Sequence, residues 1–298
     1  MIFDAFKPFV GVWIAGGVGN QLFQYAAAYA YSLRTGATLL LDTNFFEHSD
    51  KDRDYALSRL GIDAEKWTWG TPVTDWSFSI SPWRWASRLR TLMIKRVPHC
   101  KIVTEQRYDY NDTLSQIVPP IYLYGYWQSP LYFEDAAIRL RAAIDLAPLI
   151  KTDSLLGEII KTKESVAIHI RHGDYALYHR DTFGLIPYEY YAYAATLLRK
   201  SLRSPHFFVF SDNCEVAQEM FGDWPDATIC PTATQEEDLA LIAACKHQVI
   251  ANSTFSWWGA WLNSNPEKIV IAPKQWATKK ILLTRYIFDL FPERWLLL

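Results

Sequence analysis

The chain has 298 residues, half of them apolar, with 15 prolines and 13 glycines; this suffices for two ordinary domains or one large α/β unit, and it excludes collagen-like and disordered composition. Thirty basic residues against 32 acidic ones leave a formal charge of −2, so overall charge gives no case for a nucleic-acid partner. Four scattered cysteines without a C-x-x-C pair exclude a zinc ribbon, a thioredoxin-type pair and a disulfide framework, and fit free thiols in a reducing compartment.

Met1 to Lys7 lack the charged and apolar parts of a secretory signal, and no run of about eighteen apolar residues follows. A cytoplasmic protein is therefore expected. Val10–Ala15 reads as a strand, Gly16-Gly17-Val18-Gly19-Asn20 as a turn, Gln21–Leu33 as a helix and Thr38–Asp42 as the next strand. Asp50-Lys51-Asp52 is a D-x-D, but it sits in a mixed charge run that no apolar strand leads into, so a solvated loop is the better reading. Residues 82–107 carry Arg84, Arg88, Arg90, Lys95, Arg96, Lys101 and Arg107 against Glu105 alone, a balance of +6, interleaved with Trp83 and Trp85. Two readings stand side by side there: peripheral attachment to an anionic membrane, and a solvated helical face.

Val103 and Ile121–Tyr124 supply further strands, and Phe133–Ile144 a helix. Leu146–Lys163, with Pro148, Gly157 and several lysines, reads as a linker, so domains are expected at 1–150 and 151–298. The second half alternates regularly. Strands at 166–170, 206–211, 228–230, 248–251 and 268–272 are separated by helices at 188–202, 215–221, 236–245 and from Thr254. Such βαβ units make a parallel sheet covered on both faces, with ligands at the carboxyl ends of its strands. Two α/β domains facing each other would leave a cleft for a site.

The residues that carry chemistry fall at those strand ends. In His169-Ile170-Arg171-His172-Gly173-Asp174-Tyr175, strand alternation puts His169 and Arg171 on one face. An arginine fixed there is a permanently charged fork suited to phosphate. Asn252-Ser253-Thr254-Phe255 opens a helix whose first N–H groups and dipole favour an anion. Ser211-Asp212-Asn213 places an acid where it would accept from a ribose or a base. The plain alternatives are a core histidine at 169, an ion-paired arginine at 171 and simple N-capping by Ser253 or Thr254. The loop Gly16–Gln21 suits close approach of a ligand to backbone, with Asn20 and Gln21 offering amides. Leu22 stands where a dinucleotide fingerprint needs its third glycine, which excludes a nicotinamide dehydrogenase, and no P-loop, H-E-x-x-H or G-x-S-x-G is present.

Taken together, Gly16–Tyr25, Gly125-Tyr126-Trp127-Gln128, His169–Tyr175, Phe210-Ser211-Asp212, Ile250–Asn263 and Lys268–Lys274 resemble the bacterial α-1,2-fucosyltransferases of glycosyltransferase family 11. The resemblance implies two Rossmann-like domains facing across a cleft (GT-B type), the first on the acceptor side and the second binding GDP-fucose. It implies inverting transfer, without metal or other cofactor, to O2 of a galactose in a free or lipid-carried oligosaccharide. Arg171 fills the place of the family's diphosphate-binding arginine, and His172 that of its second arginine. Arg171, His172 and the N–H groups around Ser253, Thr254 and Phe255 would then stabilise the departing diphosphate, and Ser211 and Asp212 would read ribose or guanine. Asp174 is the candidate base. Asn20 would orient sugar hydroxyls, and Gly17, Gln21, His169 and Asn252 complete the substrate-binding set. A fucosyltransferase of another linkage and a glycan- or nucleotide-binding protein with weakened catalysis remain as rivals.

Overall fold

The computed structural model describes residues 8–48, 53–69, 100–105, 109–173, 175–278 and 288–298. They form two compact α/β units, one reaching Ser58 and continuing over Ile62–Ala142, the other made of Arg59–Gly61 and Ala143–Leu298. Asp50, Asp52, Asp174 and most of the basic segment 82–107 lie outside the described residues, while Lys101–Thr104 of that segment is a strand.

In the first unit β1 (Phe9–Trp13) leads into α1 (Val18–Thr35), β2 (Thr38–Asp42) and α2 (Asn44–His48). After these come β3 (Glu65–Lys66), β4 (Lys101–Thr104), β5 (Ile121–Tyr124) and α3 (Ala137–Ala143). Among the described residues the strands pair in the order β3-β2-β1-β5-β4, all parallel. Val10 and Val12 are buried on one face of β1. On the other, Phe9, Leu40, Trp67 and Tyr122 form an aromatic-rich core. Gly11 makes this possible, because a Cβ there would lie 2.6 Å from the Trp67 ring and 2.9 Å from that of Tyr122. The helix expected at Phe133–Ile144 is broken: a 3₁₀ turn at Glu134–Ala136 precedes α3.

The second unit contains α4 (Asp153–Lys161), β6 (Ser165–Ile170), α5 (Arg180–Phe183), α6 (Tyr188–Ser201), β7 (His206–Ser211) and α7 (Cys214–Phe221). It continues with β8 (Ala227–Ile229), α8 (Gln235–Ala244), β9 (His247–Val249), α9 (Thr254–Leu262), β10 (Val270–Ala272) and β11 (Leu296–Leu297). Its parallel strands run β11-β10-β9-β6-β7-β8. Every residue of β6 is buried, as befits a central strand with both faces covered. The segment read as a linker instead carries α4, whose Leu155 and Ile159 share one buried face at helical spacing. No helix among the described residues is long and apolar enough to cross a membrane.

Candidate active site

The register Ile170↔Ser211 sets the residues that follow β6 and β7 side by side. Asp212 uses that placement fully. Its Oδ1 accepts the backbone N–H groups of His172 at 2.9 Å and Gly173 at 3.1 Å, while Oδ2 lies 3.0 Å from Arg171 Nη1. A Cβ on Gly173 would sit 3.0 Å from that carboxylate, so glycine lets the turn close onto it without displacing the Asp212 side chain. The arginine is thus ion-paired, with its side chain still 20% exposed. These contacts describe Asp212 as a residue that positions the arginine loop.

A second support comes from Tyr175. Its ring centroid lies 5.5 Å from the Arg171 guanidinium carbon, near enough for a cation–π contact. The ring stacks on Phe183 at 5.0 Å and 16°, and its hydroxyl donates to the Asn252 carbonyl at 3.2 Å. Asn252 in turn donates its side-chain amide to the carbonyls of Phe183 at 2.9 Å and Trp276 at 3.3 Å. A π-helical turn at Tyr175–His179 is therefore strapped between β6 and the start of α9, and such turns recur at functional sites. Asn252, expected to touch substrate, braces this strap; its buried Oδ1 has no hydrogen-bond partner among the described residues.

The α9 start sits next to this strap. Ser253 occupies the N-cap position with an extended backbone, but its side chain makes no capping bond, contrary to the simple capping role. The helix behind it is buried from Phe255 to Leu262, and Lys268 Nζ closes its far end on the carbonyls of Ala260 and Asn263, both at 2.7 Å. The Phe255 ring lies 5.2 Å from that of His169. Burial, aided by the Arg171 charge against the pull of Asp212, holds the His169 imidazole down at about 3, so it is neutral at physiological pH. Its buried Nδ1 has no partner among the described residues, so it is not the satisfied core histidine of the plain alternative.

Asp238 was not singled out by the sequence, where it reads as one more acid in a helical first turn. Its Oδ1 accepts a 2.5 Å bond from Thr232 Oγ1. Burial pushes its carboxyl up to about 7, and the charges of Glu237 and Asp212 add to the rise. Among the described residues no group of three or more His, Cys, Asp or Glu side chains is gathered as a metal site.

In the first unit Gly16 takes φ +77°, and its carbonyl accepts from Gln21 Nε2 at 2.8 Å. Gln21 is fully buried, also donating to the Asp54 carbonyl at 2.8 Å and accepting from Ala56 N at 2.8 Å. Its amide is taken up in holding the Asp54–Ala56 segment and the Gly16 carbonyl. Asn20 is half-buried and accepts from Gln128 Nε2 at 2.9 Å. Gly17 ends the turn as the N-cap of α1, and a Cβ there would lie 3.5 Å from Arg53 Nη1.

The family model described as glycosyl transferase family 11 matches residues 9–295. The chain belongs to glycosyltransferase family 11. An alpha-1,2-colitosyltransferase of Escherichia coli is 30% identical, with 95% of this chain and 96% of the relative covered. The O-antigen biosynthesis glycosyltransferase WbnK of E. coli is 29% identical over 88% of this chain and 93% of its own. Among solved structures, a mutant of Arabidopsis thaliana FUT1 in complex with GDP superposes with a TM-score of 0.53 at 15% identity, covering 94% of this chain and 74% of that one. The NodZ α-1,6-fucosyltransferase soaked with GDP-fucose gives 0.50 at 20% identity, covering 88% and 97%. These two likenesses establish the fold.

For a family 11 glycosyltransferase, the useful features of the second unit are a rigid cation and a helix start whose N-cap side chain makes no capping bond. Transfer of a sugar from a nucleotide leaves negative charge on the departing phosphate, and preorganised donors lower that barrier most. Asp212 and Tyr175 fix the direction of the Arg171 guanidinium.

Proposed function

We propose that this protein transfers L-fucose from GDP-β-L-fucose to O2 of a galactose residue in an oligosaccharide acceptor, inverting the anomeric centre and using no metal. The observation that carries the reading is the held guanidinium of Arg171 at the end of β6, with the α9 start brought alongside through Tyr175 and Asn252. In this scheme Arg171 and the first N–H groups of α9 receive the charge developing on the β-phosphate, and His172 assists. Asp174 accepts the proton of the attacking hydroxyl.

The test is incubation with GDP-fucose and a panel of galactose-terminated acceptors, free and lipid-carried, with and without a chelator, followed by linkage analysis. An α-1,2-fucosylated product that survives chelation is expected, and its abolition in a folded Arg171→Ala variant. Absence of transfer, another linkage or near-normal turnover in that variant overturns the reading. A second donor is favoured by the colitosyltransferase relative. Colitose is fucose without its 3-hydroxyl, so GDP-colitose belongs in the same assay, and preference for it would move the donor assignment while keeping the chemistry.

A further inference from the structure

We propose that the carboxyl end of the first unit's sheet is a subsite for a pyranose ring of the acceptor, stacked on Tyr126 and Trp13 and read by the carboxamides of Gln128 and Asn20. The inference rests on the glycosyltransferase reading and deepens it.

The rings come first. On the aromatic face of the sheet, Phe9 and Tyr122 are buried, whereas Trp13, Tyr124 and Tyr126 at the strand ends are half-exposed. Trp13 lies 4.8 Å from Tyr124 and 6.1 Å from Tyr126, and Phe45 packs edge-on against it at 5.7 Å. The stack thus runs out of the core and opens at the end where parallel sheets bind ligands. Half-exposed rings with a polar handle suit the C–H face of a sugar better than a closed core.

The loop that carries Tyr126 is strained and braced. Gly125 has φ +155° and Trp127 φ +57°, a conformation rare for so bulky a side chain. Glu105 holds it there by accepting from Tyr126 N at 2.7 Å and Trp127 N at 2.9 Å. Gln24 Nε2 fixes the Gly125 carbonyl at 3.1 Å. A Cβ at Gly125 would fall 2.4 Å from Glu105 Cβ. Asp212 treats the arginine loop of the second unit in the same way: a carboxylate after the neighbouring strand, two successive amides, and a glycine pressed against it. Strain maintained by dedicated partners marks a loop whose shape matters for a ligand. Two residues after Tyr126 in the same braced loop, Gln128 Nε2 meets Asn20 Oδ1 at 2.9 Å, a neutral amide pair of the kind that matches sugar hydroxyls.

Saturation-transfer NMR on the full chain without donor tests this, using methyl galactoside, glucoside and mannoside, and GMP as the nucleotide control. Wild type is expected to contact at least one pyranoside, and Tyr126→Ala and Gln128→Ala, checked for unchanged melting, to lose that contact. In turnover, Tyr126→Ala should raise the acceptor KM about tenfold, with GDP affinity within about twofold of wild type. Failure of any pyranoside to bind, equal signals in wild type and Tyr126→Ala, or displacement of the sugar by GMP would overturn the subsite. If GDP-fucose proves not to be a donor while the sugar contact still depends on Tyr126, the donor assignment falls and the subsite stands.

Discussion

Asp212 and Arg171 lie on adjacent strand ends with 3.0 Å between Oδ2 and Nη1, and the other carboxylate oxygen takes two amides of the arginine's own loop. One side chain therefore sets both the direction of the guanidinium and the path of the turn after it. Asp212→Asn keeps the shape and removes the charge. Loss of one partner of a charge-assisted pair is worth about 1–3 kcal/mol, so kcat should fall about ten- to hundredfold with the acceptor KM little changed. Asp212→Ala should also lower the melting temperature. Steady-state kinetics with thermal melts check both, and an unchanged kcat in Asp212→Asn would remove its positioning role.

Tyr175 separates packing from hydrogen bonding. Tyr175→Phe keeps the ring and removes the hydroxyl, and with it the 3.2 Å bond to the Asn252 carbonyl, an effect of about 0.5–1.5 kcal/mol. Tyr175→Ala also removes the stack on Phe183 and the face offered to Arg171. The alanine variant should lose at least about tenfold more in kcat than the phenylalanine variant. Equal losses would mean that the hydroxyl alone holds the strap.

Gln21 tests whether the glycine-rich turn binds through this side chain. With its amide spent on Gly16, Asp54 and Ala56, Gln21→Ala strands buried backbone groups and should destabilise the protein by about 2–4 kcal/mol. Urea unfolding measures this. A variant of native stability with a raised substrate KM would restore Gln21 to the ligand.

The strand and helix order of the second unit was legible because its apolar runs and helical spacings alternate without interruption, and every expected strand there has a counterpart. Arg171 and Asp212 were visible as strand-end residues; that they would spend their charges on each other was not, because register is a property of pairing between segments 40 residues apart. Ser253 reads as a cap in any sequence, yet its side chain makes none. α4 hid behind Pro148 and Gly157, whose turn chemistry outweighed the short pattern of Leu155 and Ile159. Asp238 gave no signal at all, since its raised carboxyl depends on burial beside Thr232 and Glu237.

The Trp-rich segment that makes the family recognisable is largely structural. Gly259 packs α9 against α8 so closely that a Cβ would lie 2.6 Å from Ile242 Cγ2. Gly259→Ala should therefore destabilise the second unit by about 1–3 kcal/mol through overpacking, despite the better helix propensity of alanine. Denaturant unfolding reads the sign, and a more stable variant would contradict the packing.

His169 and Asp238 drive stability in opposite directions with pH. The His169 imidazole is held at about 3 against an ordinary 6.5, so between those values the unfolded chain binds a proton that the folded one refuses. Stability from this group rises as pH rises through that window. The Asp238 carboxyl is pushed up to about 7 from 3.8, so there the folded chain keeps a proton that the unfolded one loses, and stability falls as pH rises through its window. Where the windows overlap the slopes offset each other. Asp238→Asn removes the second, so its stability relative to wild type should climb from pH 4 to pH 7 by up to about 1.4 kcal/mol per unit. His169→Gln should show the reverse trend, gaining on wild type as the solution is acidified below about 6.5. Urea denaturation at a series of pH values decides, and variant profiles parallel to wild type would refute the burial of either group.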